Sequence, residues 1–312
     1  MISIVTAEGA RKTLARSWLF ALALAPILAL TACAMLDAKQ SQLALRPSPG
    51  RPAGLPDDTV LFRPGDRRRL VAVPSADPAM PDMLALWWLP HPNPQAPTLL
   101  YLHGTFRNLY HNLPKIDALR DAGFAIVAVD YRGWGASTPI VPSEQTIDSD
   151  VAAAWSELVR RQPDAGRRVI FGHSMGGAAA VTLASRLRHG ADYGALVLES
   201  TFTRLPDVAA AAGFWGRIGA TLTTLQFDSL SKIGHVDAPV LMLHGSADKT
   251  VPVELGRRLR DAAPPGVRWV EVPGGSHSQL HREAPELYRQ TMQSLINELT
   301  PAASAPFPAP SQ

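Results

Sequence analysis

Cysteine is almost absent from this chain: among 312 residues, Cys33 is the only one. A single cysteine cannot form an internal disulfide, a cysteine-based zinc site or a CxxC redox pair. His277 and His281 are spaced four apart, as two metal ligands on a helix would be, but no Glu lies between them and Gly274-Gly275 precedes them. Those glycines favour a loop over a metal-binding helix. We therefore expect no metal and no cofactor.

Charge is also sparse. Charged residues make up 18% of the chain and the formal net charge is +3. Three basic residues and one acidic residue precede Cys33, so the chain from Cys33 onward carries a net charge of only +1. Because no stripe of Lys and Arg with interleaved aromatic residues remains, we exclude a nucleic-acid partner. The 46% hydrophobic content excludes general disorder and can fill a sizeable core.

The N-terminal segment has the pattern of a targeting sequence. A short basic region precedes an apolar run, Trp18 to Leu30, and the run is followed by Leu30-Thr31-Ala32-Cys33. This tetrapeptide resembles the lipobox of bacterial lipoproteins, which implies cleavage after residue 32 and lipid attachment at Cys33. The resemblance implies a protein of the bacterial cell envelope, anchored in a membrane through its N-terminal lipid. In lipoproteins of this kind the residue after the lipidated cysteine influences sorting, and the resemblance implies that Ala34 favours the outer membrane, facing the periplasm. The alternative is an uncleaved membrane helix over residues 18–36, a length of 19 residues that just suffices to span.

The rest of the chain divides by composition. We expect a signal peptide over 1–32, a tether over 33–58, one domain over 59–298 and a flexible Pro/Ala-rich tail over 299–312. Within the domain, residues 203–234 are predicted to form a small lid. Its central part, 208–227, has Arg217 as its only charged residue and is otherwise rich in apolar side chains. Such a flap suits an acyl chain, although a helix packed on the core would have the same composition.

Short apolar runs alternate with helical segments across the domain. The runs predicted as strands are Leu84–Leu89, Thr98–Leu102, Ala125–Val129, Val169–Phe171, Ala195–Leu198, Val240–Leu243 and Trp269–Val272. Continuous apolar runs are typical of strands that are covered on both faces. Between two of them, the apolar spacing from Ile147 to Leu158 predicts one face of a helix. The alternation predicts an α/β fold with a mostly parallel sheet flanked by helices.

The strand that ends at Phe171 is followed by Gly172-His173-Ser174-Met175-Gly176 and then by a helical segment. This is a G-x-S-x-G turn between a strand and a helix, which is the context of a nucleophile elbow. Glycines two residues before and after the serine leave room for its sharp turn. The turn predicts Ser174 as a nucleophile, with the Met175 N–H directed at a developing oxyanion.

A nucleophilic serine needs a base and an acid that orients the base. In folds that carry this turn, the two follow the serine in the order acid then histidine, after late strands. Asp248 follows the run that ends at Leu243, and His277 lies in a Gly-rich loop after the next run. We predict Asp248 as the acid and His277 as the base, with Glu199 as the rival acid at the end of an earlier strand. The Thr105 N–H, in the loop after Leu102, is predicted as the second oxyanion donor.

These motifs resemble the α/β-hydrolase superfamily, over roughly residues 58–298. More closely, the chain looks like a branch with a small lid that includes protein depalmitoylases and lysophospholipid hydrolases. The segments beyond the elbow that carry this resemblance are Val129 to Gly135, Leu198 to Phe202 and Gly245 to Asp248. One departure is Phe106-Arg107, where relatives often have small residues, so that the shape of the pocket cannot be copied from them.

The resemblance implies a serine hydrolase that cleaves an ester or thioester of a small-molecule or lipid-like acyl substrate. The same three residues also serve peptidases, amidases and acyltransferases, and the fold does not decide between these reactions. A lipid-anchored envelope protein without catalytic activity is the remaining alternative. The intact set of Ser174, Asp248 and His277 argues against that alternative.

Overall fold

The computed structural model describes residues 35–75, 77 and 79–300. The predicted signal peptide, the lipid attachment at Cys33 and nearly all of the predicted tail, from residue 301, lie outside the described residues. Those predictions therefore stay predictions, as does the localisation that rests on them.

The core of the fold is one sheet of eight strands in the order β1-β2-β4-β3-β5-β6-β7-β8. The strands are β1 Arg67–Val73, β2 Asp82–Leu89, β3 Thr98–Leu102, β4 Ala125–Asp130, β5 Arg168–His173, β6 Ala195–Glu199, β7 Val240–Gly245 and β8 Arg268–Val272. Strand β2 is antiparallel to β1 and β4, and all the other pairs are parallel. This architecture confirms the predicted α/β fold with a mostly parallel sheet.

The described chain begins in a helix, α1, that runs from residue 35 to residue 45. The remaining helices are α2 Asp58–Leu61, α3 Leu109–Ala122, α4 Glu144–Arg161, α5 Met175–Ala184, α6 Leu205–Ala211, α7 Phe214–Leu222, α8 Leu230–Ile233, α9 Val253–Asp261, α10 Leu280–Glu283 and α11 Pro285–Leu299, with one 3₁₀ turn at Ala165–Arg167.

Helices cover both faces of the sheet, which explains the apolar runs. Every residue of the central strands β3 to β7 is buried. One hydrophobic cluster joins the sheet to α4 and α5, and a second joins the other face to α3 and α11. Helix α4 follows the predicted spacing, because Ile147, Val151, Ala154 and Leu158 are all buried. It begins with a capping box between Ser143 and Thr146 that satisfies backbone N–H groups at its start.

Strand β1 was not predicted. Its sequence, Arg-Arg-Arg-Leu-Val-Ala-Val, begins with three charged residues, and most of its positions are exposed. The strand lies at the sheet edge and pairs only with β2. Edge strands tolerate charge because one side of their backbone faces solvent, so hydrophobic patterning does not reveal them.

The predicted tether differs from the structure over residues 35–50, since residues 35–45 form α1. The side chain of Leu45 is fully buried in the core. Ser48 and Gly50 exchange backbone hydrogen bonds with Gly135, and the Asn108 amide donates to the carbonyls of both Ser48 and Gly50. The proline and glycine content suggested a free linker, but these contacts fasten this part of the segment to the domain.

The predicted lid contains α6, α7 and α8, between β6 and β7. Neither α6 nor α7 has a buried residue, whereas α8 buries Ile233. Trp215 is 80% exposed and Phe214 is 68% exposed, whereas Leu225, beyond α7, is buried. Among the described residues, no helix has both the length and the apolar character needed to cross a bilayer.

Candidate active site

Ser174 lies at the turn from β5 into α5. Its backbone has φ 55° and ψ −121°, a conformation that L-residues rarely adopt. A Cβ on Gly172 would approach the Gly176 carbonyl oxygen to 2.3 Å, and a Cβ on Gly176 would approach the Leu102 carbonyl oxygen to 2.1 Å. Both glycines are therefore required by close backbone contacts, between β5 and α5 in one case and between α5 and β3 in the other. The surrounding packing holds the strained serine in place.

The structure brings together Ser174, His277 and Asp248, which were predicted from three separate motifs. His277 Nε2 is 3.0 Å from Ser174 Oγ, and His277 Nδ1 is 2.7 Å from Asp248 Oδ2. With the ring proton on Nδ1, His277 donates to the carboxylate and its Nε2 accepts the hydroxyl proton of Ser174. The arrangement can move a proton away from the serine oxygen while the carboxylate holds the ring in that tautomer.

Asp248 accepts more hydrogen bonds than the one from His277. Its Oδ1 accepts from the backbone N–H groups of Thr250 and Val251, both at 2.8 Å. His244 Nε2 lies 3.3 Å from Oδ2 and 2.9 Å from the Val251 carbonyl oxygen, so its proton resides on that nitrogen between two acceptors. Burial by itself would raise the pKa of Asp248, but the hydrogen bonds from His244, His277 and Val251 hold the pKa below its ordinary value. The carboxylate is therefore ionised at neutral pH.

The rival acid, Glu199, is engaged elsewhere. It is fully buried at the end of β6, where it pairs with Lys115 of α3 and accepts a 2.9 Å hydrogen bond from the Tyr288 hydroxyl of α11. These two partners occupy both carboxylate oxygens, while the Nδ1 of His277 is directed at Asp248. The geometry favours Asp248 over Glu199.

His173 and His244 support the site in ways that the sequence did not specify. His173 Nε2 donates to the backbone carbonyl of His277 at 3.0 Å and so holds the loop that carries His277. Burial, with Lys115 as the next cause, lowers the pKa of His173 well below its ordinary value, so the ring is a neutral donor. His173 follows Gly172 and His244 precedes Gly245, each at the end of a parallel strand, which was the available signal that its ring would lie near the site.

The two predicted oxyanion donors lie on either side of Ser174. Met175 is the first residue of α5, where a backbone N–H has no acceptor within its own helix. Thr105 lines the same cavity as Ser174, in a tight turn where the Arg107 N–H donates to the Thr105 carbonyl and Phe106 has φ 73°. The Gly104 backbone passes so close that a Cβ there would lie 3.0 Å from the Ser174 Cβ. The loop after β3 is therefore packed directly against Ser174.

An open cavity of about 660 Å³ lies above Ser174 and His277. Its walls include the loop from Gly104 to Arg107 and the segment from Ser276 to Gln279. Phe106 is 45% exposed at the rim, with the Arg46 guanidinium 4.7 Å from its ring centre. No group of three or more metal-ligating side chains occurs within residues 35–75, 77 and 79–300. His281 lies in the short helix α10, and its ring nitrogens have no hydrogen-bond partner.

Comparison with known proteins relates this chain to a family. A family model described as serine aminopeptidase, S33, matches residues 93–224. An uncharacterized protein of Mycobacterium tuberculosis, Rv2307c, is 32% identical over 239 residues, which are 70% of this chain and 83% of that protein. The lysophosphatidylserine lipase ABHD12 of Danio rerio is 33% identical over 182 residues, which are 54% of this chain. The match spans about half of the lipase, 47% of its length.

Solved structures show the same fold. The esterase Pf2001 of Pyrococcus furiosus superposes with a TM-score of 0.63, over 81% of this chain and 97% of that one, at 19% identity. Together with the sheet topology and the sequence matches, this likeness gives the assignment: the chain belongs to the α/β-hydrolase superfamily.

Proposed function

We propose that the protein is a serine hydrolase that cleaves an ester or thioester of an acyl chain through an acyl-enzyme. The observation that carries this proposal is the continuous hydrogen-bonded series from Ser174 through His277 to Asp248, built on an elbow with strained backbone. A structural serine would not need this backbone conformation or a buried carboxylate behind its histidine partner.

The first chemical step forms a bond between Ser174 Oγ and the acyl carbon of the substrate. The hydroxyl proton passes to His277 Nε2, and the Asp248 carboxylate stabilises the resulting imidazolium. The carbonyl oxygen becomes an oxyanion, which the Met175 and Thr105 N–H groups would bind. His277 then gives its proton to the departing alcohol or thiol, which leaves the acyl group on Ser174.

The second step repeats the first with water. His277 takes a proton from the water, the hydroxide attacks the acyl carbon, and the bond to Ser174 breaks as the serine oxygen regains its proton. The open cavity beside Ser174 gives water access to this intermediate. The apolar residues of α6 and α7, on the loop connection between β6 and β7, suit an acyl chain rather than a polar substrate.

The test is covalent labelling combined with turnover. The wild-type protein should react with a fluorophosphonate at Ser174, and Ser174→Ala should lose both the label and roughly 10⁴-fold or more of the ester turnover. Circular dichroism should show that the variant stays folded, because the side chain loses only one oxygen. Full labelling of Ser174→Ala would contradict the proposal.

The reaction class needs a second measurement, because relatives include a family described as aminopeptidases and others named lipases. Turnover of short and long p-nitrophenyl esters should exceed turnover of aminoacyl anilides. Faster cleavage of the anilides would assign the same three residues to a peptidase.

A further inference from the structure

A second, smaller cavity of about 110 Å³ adjoins the one above Ser174. The two cavities share the wall formed by Gly104, Thr105, Arg107, His173, Ser278 and Gln279. The shared wall contains the loop of the predicted oxyanion donor. A group bound in the smaller cavity would therefore lie beside the point where the acyl carbon is attacked.

The walls of both cavities are cationic. Arg107 lines both cavities, Lys249 lines only the larger one, and Lys115 and Arg282 line only the smaller one. No Asp or Glu is part of either wall. Within the described chain, Lys115 pairs with Glu199, whereas Arg107, Lys249 and Arg282 form no salt bridge. Two arginines at one small cavity are thus available for a ligand.

His281 gives an independent indication of a ligand in the smaller cavity. It lines that cavity, is only 8% exposed, and neither of its ring nitrogens has a hydrogen-bond partner. Burial, with Lys115 as the next cause, lowers the pKa of His281 to about 4, so the ring is neutral at pH 7 and carries one N–H donor. A buried polar group left without a partner is unfavourable, and a hydrogen-bonding ligand would offset that cost.

We propose that the smaller cavity is a subsite for an anionic group of the substrate, a phosphate or a carboxylate, bound by Arg107 and Arg282 with His281 donating a hydrogen bond. The planar guanidinium groups of arginine match both kinds of anion through paired hydrogen bonds. This inference rests on the proposed function and deepens it. The substrate would then be an acyl ester whose alcohol carries an anionic group close to the scissile bond.

The kinetic test compares matched substrates with the full chain in detergent at fixed ionic strength. A 1-acylglycerol is compared with its 3-phosphate and its 3-hemisuccinate, all with the same acyl chain. The wild-type enzyme should favour one or both anionic esters in kcat/KM. Arg282→Gln and Arg107→Gln should each lower the ratio of anionic to neutral kcat/KM roughly fivefold to tenfold, mainly through KM, because each removes a charge-assisted hydrogen bond.

Lys249→Gln is the matched control, because Lys249 is a free cation that lines only the larger cavity. It should leave the ratio within about twofold of the wild-type value, in keeping with the small effects of solvent-exposed charges. An equal loss in Lys249→Gln would show a general electrostatic field instead of a subsite and would overturn the assignment. So would a wild-type enzyme that does not distinguish the neutral from the anionic esters.

Calorimetry separates failure of the subsite from failure of the proposed function, since it needs no turnover. Glycerol 3-phosphate should bind the wild-type protein, and binding should weaken in Arg282→Gln but not in Lys249→Gln. Binding of inorganic phosphate without binding of glycerol 3-phosphate would overturn the assignment to a substrate head group. Absence of ester turnover with this binding pattern intact would instead contradict the hydrolase proposal and leave an anion-binding site.

Discussion

The nucleophile elbow and helix α7 of the lid differ in burial and in how closely the rest of the fold packs against them. At the elbow, Gly172 and Gly176 have backbone atoms of neighbouring elements within 2.1–2.3 Å of where a Cβ would be, and Ser174 is 7% exposed. In the lid, α7 has no buried residue, and Gly219 has no atom within 4 Å of the corresponding position. The elbow therefore has no freedom to change. Helix α7 is held mainly by α6, where the Ala209 carbonyl oxygen lies 2.0 Å from the Cβ position of Gly216, and its last carbonyl, on Leu222, accepts a hydrogen bond from Gln40.

The two regions therefore suit different requirements of the proposed reaction. Proton transfer from Ser174 to His277, with Asp248 orienting the imidazole ring, requires fixed distances, which the packed ends of the parallel strands supply. A surface for an acyl chain requires apolar area more than fixed geometry, and the exposed aromatic side chains of α7 offer it. Substitutions should accordingly have large effects at the elbow and small ones in the lid.

The largest expected effect is on ester turnover, and it distinguishes the carboxylates of Asp248 and Glu199, which lie at the same edge of the sheet. Asp248→Asn should lower ester turnover about 10⁴-fold, the order of loss seen when the orienting acid of a serine triad becomes an amide. Glu199→Gln should cost much less turnover, because Glu199 pairs with Lys115 and Tyr288 instead of His277. Steady-state kinetics of both variants measures the difference.

Stability must be followed in the same variants, since Glu199→Gln leaves Lys115 buried without a carboxylate partner. Removing one partner of a buried pair destabilises by about 3–5 kcal/mol. Glu199→Gln should therefore unfold at a lower urea concentration than the wild-type protein. At urea concentrations below its unfolding transition, it should turn over ester at a rate near that of the wild-type enzyme. If Glu199→Gln were the less active of the two folded variants, the orienting acid would be Glu199.

The next effect is on the unfolding free energy, and it compares the elbow with α7 through one glycine-to-alanine change in each. In Gly176→Ala the new methyl group would lie 2.1 Å from the Leu102 carbonyl oxygen, so α5 must move away from β3. Overpacking of this kind costs about 1–3 kcal/mol or more of unfolding free energy. In Gly219→Ala the methyl group meets open space inside a helix, and alanine should stabilise by about 0.5–1 kcal/mol.

Urea unfolding of the two variants measures this contrast, with opposite signs expected. Gly176→Ala should also lose turnover, because movement of α5 shifts Ser174 and the Met175 N–H. A destabilised Gly219→Ala would mean that the lid is packed more tightly than the structure indicates. An unaffected Gly176→Ala would mean that the elbow can relax.

A smaller effect concerns Asp130, the buried carboxyl at the end of β4. Burial raises its pKa to about 7, against about 3.9 in an unfolded chain. The folded protein therefore binds more protons than the unfolded chain between pH 4 and 7, and this group lowers stability as the pH rises through that window. Asp130→Asn imitates the protonated form, so its unfolding free energy should rise relative to that of the wild-type protein between pH 5 and pH 8, by up to a few kcal/mol.

His103 makes the paired measurement necessary. Its Nε2 lies 3.5 Å from Asp130 Oδ1, and burial lowers its pKa to about 4, which gives a stability change of the opposite sign over nearly the same window. Because His103 lies beside Asp130, the difference between the two proteins reports the titration of the pair in which Asp130 takes part. Identical pH slopes in the wild-type protein and Asp130→Asn would contradict the raised pKa.

Local sequence patterns predicted those parts of the molecule whose structure depends on residues that are close together in the chain. Seven strands follow from apolar runs, and the elbow follows from glycine spacing within six residues. The partners of Glu199 could not be predicted, because Tyr288 and Lys115 come from α11 and α3, which the sheet brings together only in three dimensions. The burial of Leu45 was not predicted for the same reason. The proline and glycine content of its segment does not show that the segment packs against a distant part of the domain.

The smallest expected effect lies in the lid. Trp215 is 80% exposed and contacts Phe214 edge to face, so Trp215→Ala removes little buried area. The unfolding free energy should change by about 0.5 kcal/mol or less, as for most surface substitutions. Trp134→Ala is the contrasting control: Trp134 is fully buried, and loss of its ring should cost about 3–5 kcal/mol. Urea unfolding compares the two.

If α7 contacts the acyl chain, Trp215→Ala should lower turnover of long-chain p-nitrophenyl esters more than that of short-chain ones, while the reaction at Ser174 itself is unchanged. Equal losses for both chain lengths would show that Trp215 acts on the chemical step, and a large loss of stability would show that the lid is part of the folded core.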